Sequence, residues 1–104
     1  MVSKKDVTFT EIKELLQISD RFLEELEAEE IVRSISEPGQ EKRYLPREAE
    51  KVRIAQVLVN DMGVNLEGVE VIIRMRETMF AMRSQMDRIL ECILDDIKKE
   101  FMED

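Results

Sequence analysis

The spacing of apolar residues predicts two short helices near the start of the chain. Thr8 and Glu11 stand three residues apart, the spacing of a capping box in which each side chain accepts a hydrogen bond from a backbone amide. Apolar residues follow at helical spacing, namely Ile12, Leu15 and Leu16. Ser19 is a good N-cap for a second helix that carries Phe22, Leu23 and Leu26. We therefore expect two helices joined by a tight turn.

The apolar period changes after the second helix. Residues 31–36 and 41–45 are two short segments with extended character, and the Pro38-Gly39 pair between them favours a turn. This pattern predicts a small β-hairpin.

Two further helices follow the hairpin. Pro46 suits the first turn of a helix, and Gly63 permits the positive φ of a helix end. Asn65 can cap a last helix that continues from Leu66 to Asp104, a length of more than about 50 Å at 1.5 Å per residue. The prediction is a mainly α fold with two parts, a helix-turn-helix domain with a hairpin wing (1–63) and a long helix (64–104).

The long helix carries an apolar seam whose members alternate by three and four residues, as a and d positions do in a coiled coil. The seam consists of Ile72, Met75, Met79, Met82, Met86, Ile89 and Ile93. Because such a seam would otherwise face water, it predicts a homodimer through the C-terminal helix, in an antiparallel arrangement.

Composition limits the chemistry that the chain can perform. The 104 residues provide for one modest core, and 24 acidic against 16 basic residues give a formal charge of -8 that repels nucleic acid overall. The chain has no histidine, so it lacks the usual general base and a common metal ligand. We expect no catalytic residues, no cofactor and no metal.

Cysteine usage and hydropathy bear on location. The single cysteine, Cys92, cannot form an intramolecular disulfide, which fits a reducing compartment. No apolar run approaches the roughly 20 residues that cross a bilayer, and residues 1–6 lack the apolar region of a secretory signal. We expect a cytoplasmic protein without a membrane partner.

The order of helix, turn, helix, hairpin wing, helix and long helix resembles the MerR superfamily of winged helix-turn-helix regulators. Residues 9–12 resemble the family's opening helix, 42–44 the end of its wing, and 61–70 the junction before its dimerisation helix. The junction segment is similar to that of two chaperone-linked branches. Heat-shock repressors of HspR type bind operator DNA, whereas chaperone modulators of CbpM type bind the J-domain of a co-chaperone and restrain it.

The second helix favours the modulator branch. DNA-binding members present basic and aromatic side chains there, but residues 20–30 contain six acids and one base. The resemblance thus implies a J-domain co-chaperone as the partner, bound through its basic helix. The residues predicted to contact it are Asp20, Glu24 and Glu27, with Arg21 and Glu25 at the margin.

Other interpretations of the same residues stay open. An acid-rich helix is also typical of a surface that faces solvent and binds no partner. The segment from Ile31 to Arg53 has a net charge of +2, so a DNA-binding regulator that uses Lys42, Arg43 and Tyr44 is the alternative function. Tyr44 at the hairpin's end is more simply explained as packing against the first helices. Cys92 and the methionines suggest metal sensing only weakly, because the paired thiolates of such sensors are missing.

Overall fold

The computed structural model describes residues 5–102. Their fold is mainly helical, with one small antiparallel pair of strands and a long final helix, which confirms the predicted fold class. The elements in chain order are β1 (Val7–Thr8), α1 (Phe9–Leu16), α2 (Asp20–Ala28), β2 (Arg43–Tyr44), α3 (Pro46–Asn60) and α4 (Leu66–Met102).

Local capping fixes where α1 and α2 begin. The Thr8 hydroxyl accepts from the Glu11 amide at 3.2 Å, and the Glu11 carboxylate accepts from the Thr8 amide at 3.3 Å. The Ser19 hydroxyl accepts from the Phe22 amide at 3.1 Å. Gln17 ends α1 in the left-handed conformation, with φ of 54°. These bonds satisfy helix-end amides and confirm both predicted starts and the tight turn.

The junction between α3 and α4 combines a glycine in the left-handed conformation, an asparagine cap and a close contact at Gly68. Pro46 occupies the first turn of α3, and Gly63 has φ of +66° after its end. Asn65 caps α4 by accepting from the Gly68 amide at 2.8 Å. A Cβ on Gly68 would lie 2.7 Å from Val64 Cγ1, so a larger residue there would displace Val64.

The wing is smaller than the predicted hairpin. Only Ile35 and Arg43 form a bridge across it, with N–O distances of 2.8 and 3.1 Å. On its other side β2 pairs antiparallel with β1, with Val7 opposite Tyr44 and Thr8 opposite Arg43. Residues 31 and 32 are buried rather than alternating, because they follow directly after α2 and enter the core.

One apolar core joins the three short helices, the wing and the start of α4. Its buried members are Ile12, Leu23, Leu26, Ile31, Val32, Tyr44, Val52, Ala55, Leu58, Val69 and Ile73. The apolar stripe predicted for α1 is narrower than its sequence indicates, because Ile12 is buried while Leu15 is 73% exposed.

The chain divides into two compact units, residues 1–73 and residues 74–104. The first turns of α4 belong to the first unit, since Val69 and Ile73 are buried in its core. In the second unit every residue from 77 to 102 is exposed. Within residues 5–102, no helix is both long and apolar enough to span a membrane.

Candidate partner-binding surface

The exposed face of α2 is acidic. Glu24 is exposed, and within residues 5–102 its side chain makes no hydrogen bond or ion pair. Asp20 has a 63% exposed side chain and pairs with Lys13 of α1 at 2.8 Å. Arg21, with an 89% exposed side chain, bonds Glu25 within the same helix at 3.0 Å. The one cation of the helix is thus partly neutralised, and the face keeps a net negative charge.

Glu27 does not lie on this exposed face, contrary to the sequence prediction. Its carboxylate accepts from the Ser34 hydroxyl, from Tyr44 Oη at 3.3 Å and from Lys42 Nζ at 3.4 Å, and its side chain is only 16% exposed. Glu27 follows Leu23 by four residues and therefore shares the core-facing side of α2. It holds the wing to the helix instead of facing a partner.

The end of α2 extends the acidic surface. Glu29 and Glu30 are exposed, and Glu30 has φ of 58°. The Ile31 amide donates to the Leu26 carbonyl at 2.9 Å, and the Glu30 amide donates to the Glu27 carbonyl at 3.0 Å. This is a Schellman motif, whose left-handed position usually holds glycine. A glutamate at that position adds charge at the cost of backbone strain.

The wing residues expected to contact DNA lie mostly inside the fold. Arg43 is 7% exposed; its Nε donates to Asp6 at 3.2 Å and its NH2 donates to Glu37 at 3.1 Å. The hydrogen bond with Glu37 raises the pKa of Arg43, and the same bond lowers the pKa of Glu37. Arg43 is therefore a structural ion-pair residue of the wing.

Tyr44 is fully buried, and burial followed by the nearby Glu27 charge raises its pKa. A phenol in this position cannot reach a base or a phosphate while the fold is intact. Lys42 is the one exposed member of the predicted DNA-contact set, and it already pairs with Glu27. The structure thus removes Arg43 and Tyr44 from the set of surface contacts.

Other cations do remain on the surface of the wing and α3. Arg33 and Arg53 are exposed, and the Arg47 side chain is 78% exposed. Arg53 donates to Gln56 at 2.8 Å, and Arg47 lies 3.7 Å from the buried carboxylate of Glu48. These arginines belong to the basic segment from Ile31 to Arg53 on which the alternative DNA-binding function is based.

The apolar seam of α4 is exposed along its whole length in the single chain. The four methionines Met75, Met79, Met82 and Met86 are each more than half exposed, and Ile72, Ile89 and Ile93 are also exposed. Phe80, Leu90, Leu94, Ile97 and Phe101 are exposed as well. So large a contiguous apolar surface is typical of a protein interface.

Cys92 is an exposed thiol on α4, where Gln85, Arg88 and Ile89 are its neighbours around an open depression. The described part of the chain contains no group of three or more histidine, cysteine, aspartate or glutamate side chains arranged to hold a metal.

Comparison with protein families matches residues 7–90 to the family described as MerR HTH family regulatory protein. The chain belongs to the MerR family. The match includes both strands, α1 to α3 and α4 as far as Leu90, so it covers the acidic face of α2 and most of the seam. No curated protein and no solved structure matches the chain. MerR membership confirms a helix-turn-helix regulator and agrees with the resemblance seen in the residues.

In helix-turn-helix proteins the second helix is the one that enters the major groove of DNA. In this MerR-family chain that helix is α2, and its exposed face is acidic where phosphates would approach. The surface that reads DNA in such proteins therefore carries a net negative charge in this chain.

Proposed function

We propose that this MerR-family protein is a regulatory binding protein, not an enzyme, and that it restrains a J-domain co-chaperone. The observation that carries the proposal is the exposed acidic face of α2, formed by Asp20, Glu24 and Glu25 at the position of a recognition helix. Residues 61–70 resemble both chaperone-linked branches, and the acidic face of α2 favours the modulators, whose partner is a J-domain. The mechanism is occupancy of the basic helix that a J-domain presents to its heat-shock chaperone.

Glu24 is the contact residue that the structure favours most. Because it has no intramolecular partner within residues 5–102, its charge is fully available to a cation of the partner. Asp20 and Glu25 would each give up an existing ion pair in order to form a new one with the partner. They therefore contribute chiefly to the electrostatic field that guides the partner to this surface. Glu27 supports this surface indirectly, because its hydrogen bonds with Ser34 and Tyr44 fix α2 to the wing.

The test is a binding titration of a purified J-domain with the wild-type chain and with Glu24→Lys. We expect reversal of this charge to weaken binding at least about tenfold, since like charges then face each other across the interface. Asp61→Lys is the matched control, because it makes the same charge change at an exposed helix end where a cation is well tolerated. Equal affinities of wild type and Glu24→Lys would refute the proposal.

DNA binding is the second candidate function, favoured by the exposed arginines Arg33, Arg47 and Arg53. Contact with Z phosphates predicts that the logarithm of affinity falls with the logarithm of salt at a slope of about -0.9Z. Arg33→Glu combined with Arg53→Glu is the suitable variant, because both side chains are exposed, whereas Arg43→Glu would break buried ion pairs and Lys42→Glu would place a like charge beside Glu27. Tight operator binding that this variant abolishes would favour the DNA-binding function over the first.

We propose that a second copy of the chain covers the seam of α4. The charges of the helix support this partner and its direction: residues 74–88 hold four arginines and two acids, whereas residues 89–102 hold four acids and two lysines. With the seam paired with its own copy, an antiparallel pair is centred near residues 82 and 83, so the acidic half of one helix lies beside residues 63–76 of the other instead of beside a second acidic half. A parallel pair would place like halves together.

Sedimentation tests the dimer. Met79→Glu with Met86→Glu places four charges in the paired seam of the dimer and is expected to give a monomer. Ala81→Glu with Ser84→Glu adds the same charges on the opposite side of α4, and we expect this control to stay dimeric. A wild-type chain that sediments as a monomer at micromolar concentration would contradict the proposal.

A further inference from the structure

The seam of α4 is chemically uneven. Four of the chain's seven methionines occupy four consecutive seam positions from Met75 to Met86, and isoleucines occupy the positions on either side. Each of the four thioethers is more than half exposed in the single chain. Met62 and Met102, which are 66% and 78% exposed, lie outside the seam. The seam positions thus hold oxidisable methionines at the centre and isoleucines, which peroxide does not oxidise, at both ends.

We propose that the methionine block of residues 75–86 is an oxidation site at which peroxide dissociates the dimer. The inference rests on the proposed self-pairing of α4. Methionine packs well in an apolar seam because its thioether is flexible and polarisable, but its sulfoxide is polar and fits a dry interface poorly. Isoleucine or leucine would fill the same seam without this liability.

The chemical step is a two-electron oxidation of sulfur by a peroxide. The thioether sulfur attacks one peroxide oxygen, the O–O bond breaks, and the other oxygen leaves as hydroxide. The hydroxide takes the proton from the oxygen bound to sulfur, so that the products are one sulfoxide and one water molecule. Sulfur loses two electrons and the peroxide gains them. Methionine sulfoxide reductases reverse the change.

The dimer equilibrium links oxidation to assembly. In the monomer the thioethers are open to solvent, whereas self-pairing would cover them. Oxidant therefore reacts with the seam through the monomer, and each sulfoxide then opposes reassociation because a polar group would be buried without a matched partner. Four sites on each chain act together, so oxidation is expected to raise the dissociation constant at least about 100-fold.

The experiment compares the full wild-type chain with a variant carrying Met75→Leu, Met79→Leu, Met82→Leu and Met86→Leu. Leucine is close to methionine in volume, so the variant is expected to retain the fold and the dimer. Both proteins are treated with hydrogen peroxide. Peptide mass spectrometry measures sulfoxide at each methionine, and sedimentation equilibrium measures the dissociation constant. Treatment with methionine sulfoxide reductases then tests recovery.

The expected result has three parts. The oxidised wild type dissociates and recovers after enzymatic reduction. The leucine variant stays dimeric although its Met62 and Met102 are oxidised to the same extent. The oxidation rate of the seam methionines in the wild type falls as protein concentration rises, whereas the rate at Met62 does not. An unchanged dissociation constant with all four sulfoxides formed, or equal dissociation of the leucine variant, would overturn the inference.

The same experiment tests the self-pairing of α4 and the oxidation site separately. An untreated chain that is already monomeric at micromolar concentration would refute the self-pairing of α4 and this inference with it. An untreated dimer that survives full oxidation of the seam would refute the oxidation site alone.

Discussion

The phenolic hydroxyl of Tyr44 donates a hydrogen bond to the carboxylate of Glu27 across 3.3 Å, and this bond joins β2 to α2. Ser34 and Lys42 donate to the same carboxylate from either side of the wing. The wing is thereby held to the helix that carries the acidic face. Glu27, which the sequence predicts at the surface, and Tyr44, for which packing is the simpler explanation, together form the support of that surface.

Replacing Tyr44 by phenylalanine should destabilise the chain by about 1–2 kcal/mol near neutral pH, because a buried hydrogen bond to a charged group is lost. In alkali the order of stability should reverse, so that Tyr44→Phe becomes the more stable of the two proteins. Burial raises the pKa of Tyr44 above its ordinary value of 10.0, so above that pH the unfolded wild type ionises while the folded protein stays neutral. Wild-type stability therefore declines with pH more steeply than that of Tyr44→Phe.

Urea unfolding followed by circular dichroism at several pH values measures this difference. Because the lysines are the same in both proteins, only the difference between the two curves reports on Tyr44. Parallel stability curves above pH 10 would show that the phenol is not protected from ionisation in the folded state.

Glu27→Gln and Glu24→Gln form a matched pair that separates support from contact. Glu27→Gln should lower the free energy of unfolding by about 1–3 kcal/mol, because three donors lose their charged acceptor. Glu24→Gln should change it by less than about 0.5 kcal/mol, as exposed substitutions usually do. Thermal unfolding measures both effects. Similar losses of stability in the two variants would contradict the different roles assigned to them.

Glu30→Gly should stabilise the chain by about 0.5–1 kcal/mol, because glycine accepts the left-handed backbone of the Schellman position without strain. The gain is smaller than the strain relieved, since glycine also makes the unfolded chain more flexible. Chemical denaturation measures it. The matched control is Glu29→Gly, one residue earlier at φ of -85°, which should destabilise the chain. A loss of stability in Glu30→Gly would contradict the strain at this position.

The pair of Glu37 and Arg43 should make the wing sensitive to acid. The hydrogen bond from Arg43 lowers the pKa of Glu37 below its ordinary value of 4.5. The stability that this ion pair contributes is thus fully present above pH 4.5. It is lost as the pH falls through the lowered pKa of Glu37 in the folded state. The stability advantage of the wild type over Glu37→Gln should therefore shrink below pH 4.5. Thermal unfolding across this range measures it, and a pH-independent difference would contradict the pairing.

Features set by neighbouring residues could be predicted from the sequence. The caps at Thr8 and Ser19 and the proline start of α3 each depend on a few consecutive positions, and all three appear in the structure. The pairing of β1 with β2 could not be predicted, because it joins Val7 to Tyr44 far along the chain and each strand has two residues, too few to show a period.

The candidate site could be predicted only in part, again because some of its features depend on contacts between residues that are distant in the sequence. The acidic character of α2 follows from its composition, but the division between Glu24 at the surface and Glu27 against the wing depends on tertiary contacts. One local signal does distinguish them: Glu27 lies four residues after the buried Leu23, whereas Glu24 lies four residues after the exposed Asp20. The burial of Arg43 could not be predicted from the residues around it, since one of its two carboxylate partners, Asp6, lies 37 positions away.

The central claim is that the acidic face of α2 binds the basic helix of a J-domain, and a double-mutant cycle tests it most directly. Isothermal titration calorimetry would measure four affinities, with Glu24→Lys in this chain and a lysine-to-glutamate reversal in the basic helix of the J-domain. We predict that each single reversal weakens binding about tenfold and that the two together restore it to within about threefold of wild type. Losses that simply add in the double reversal would contradict the claim.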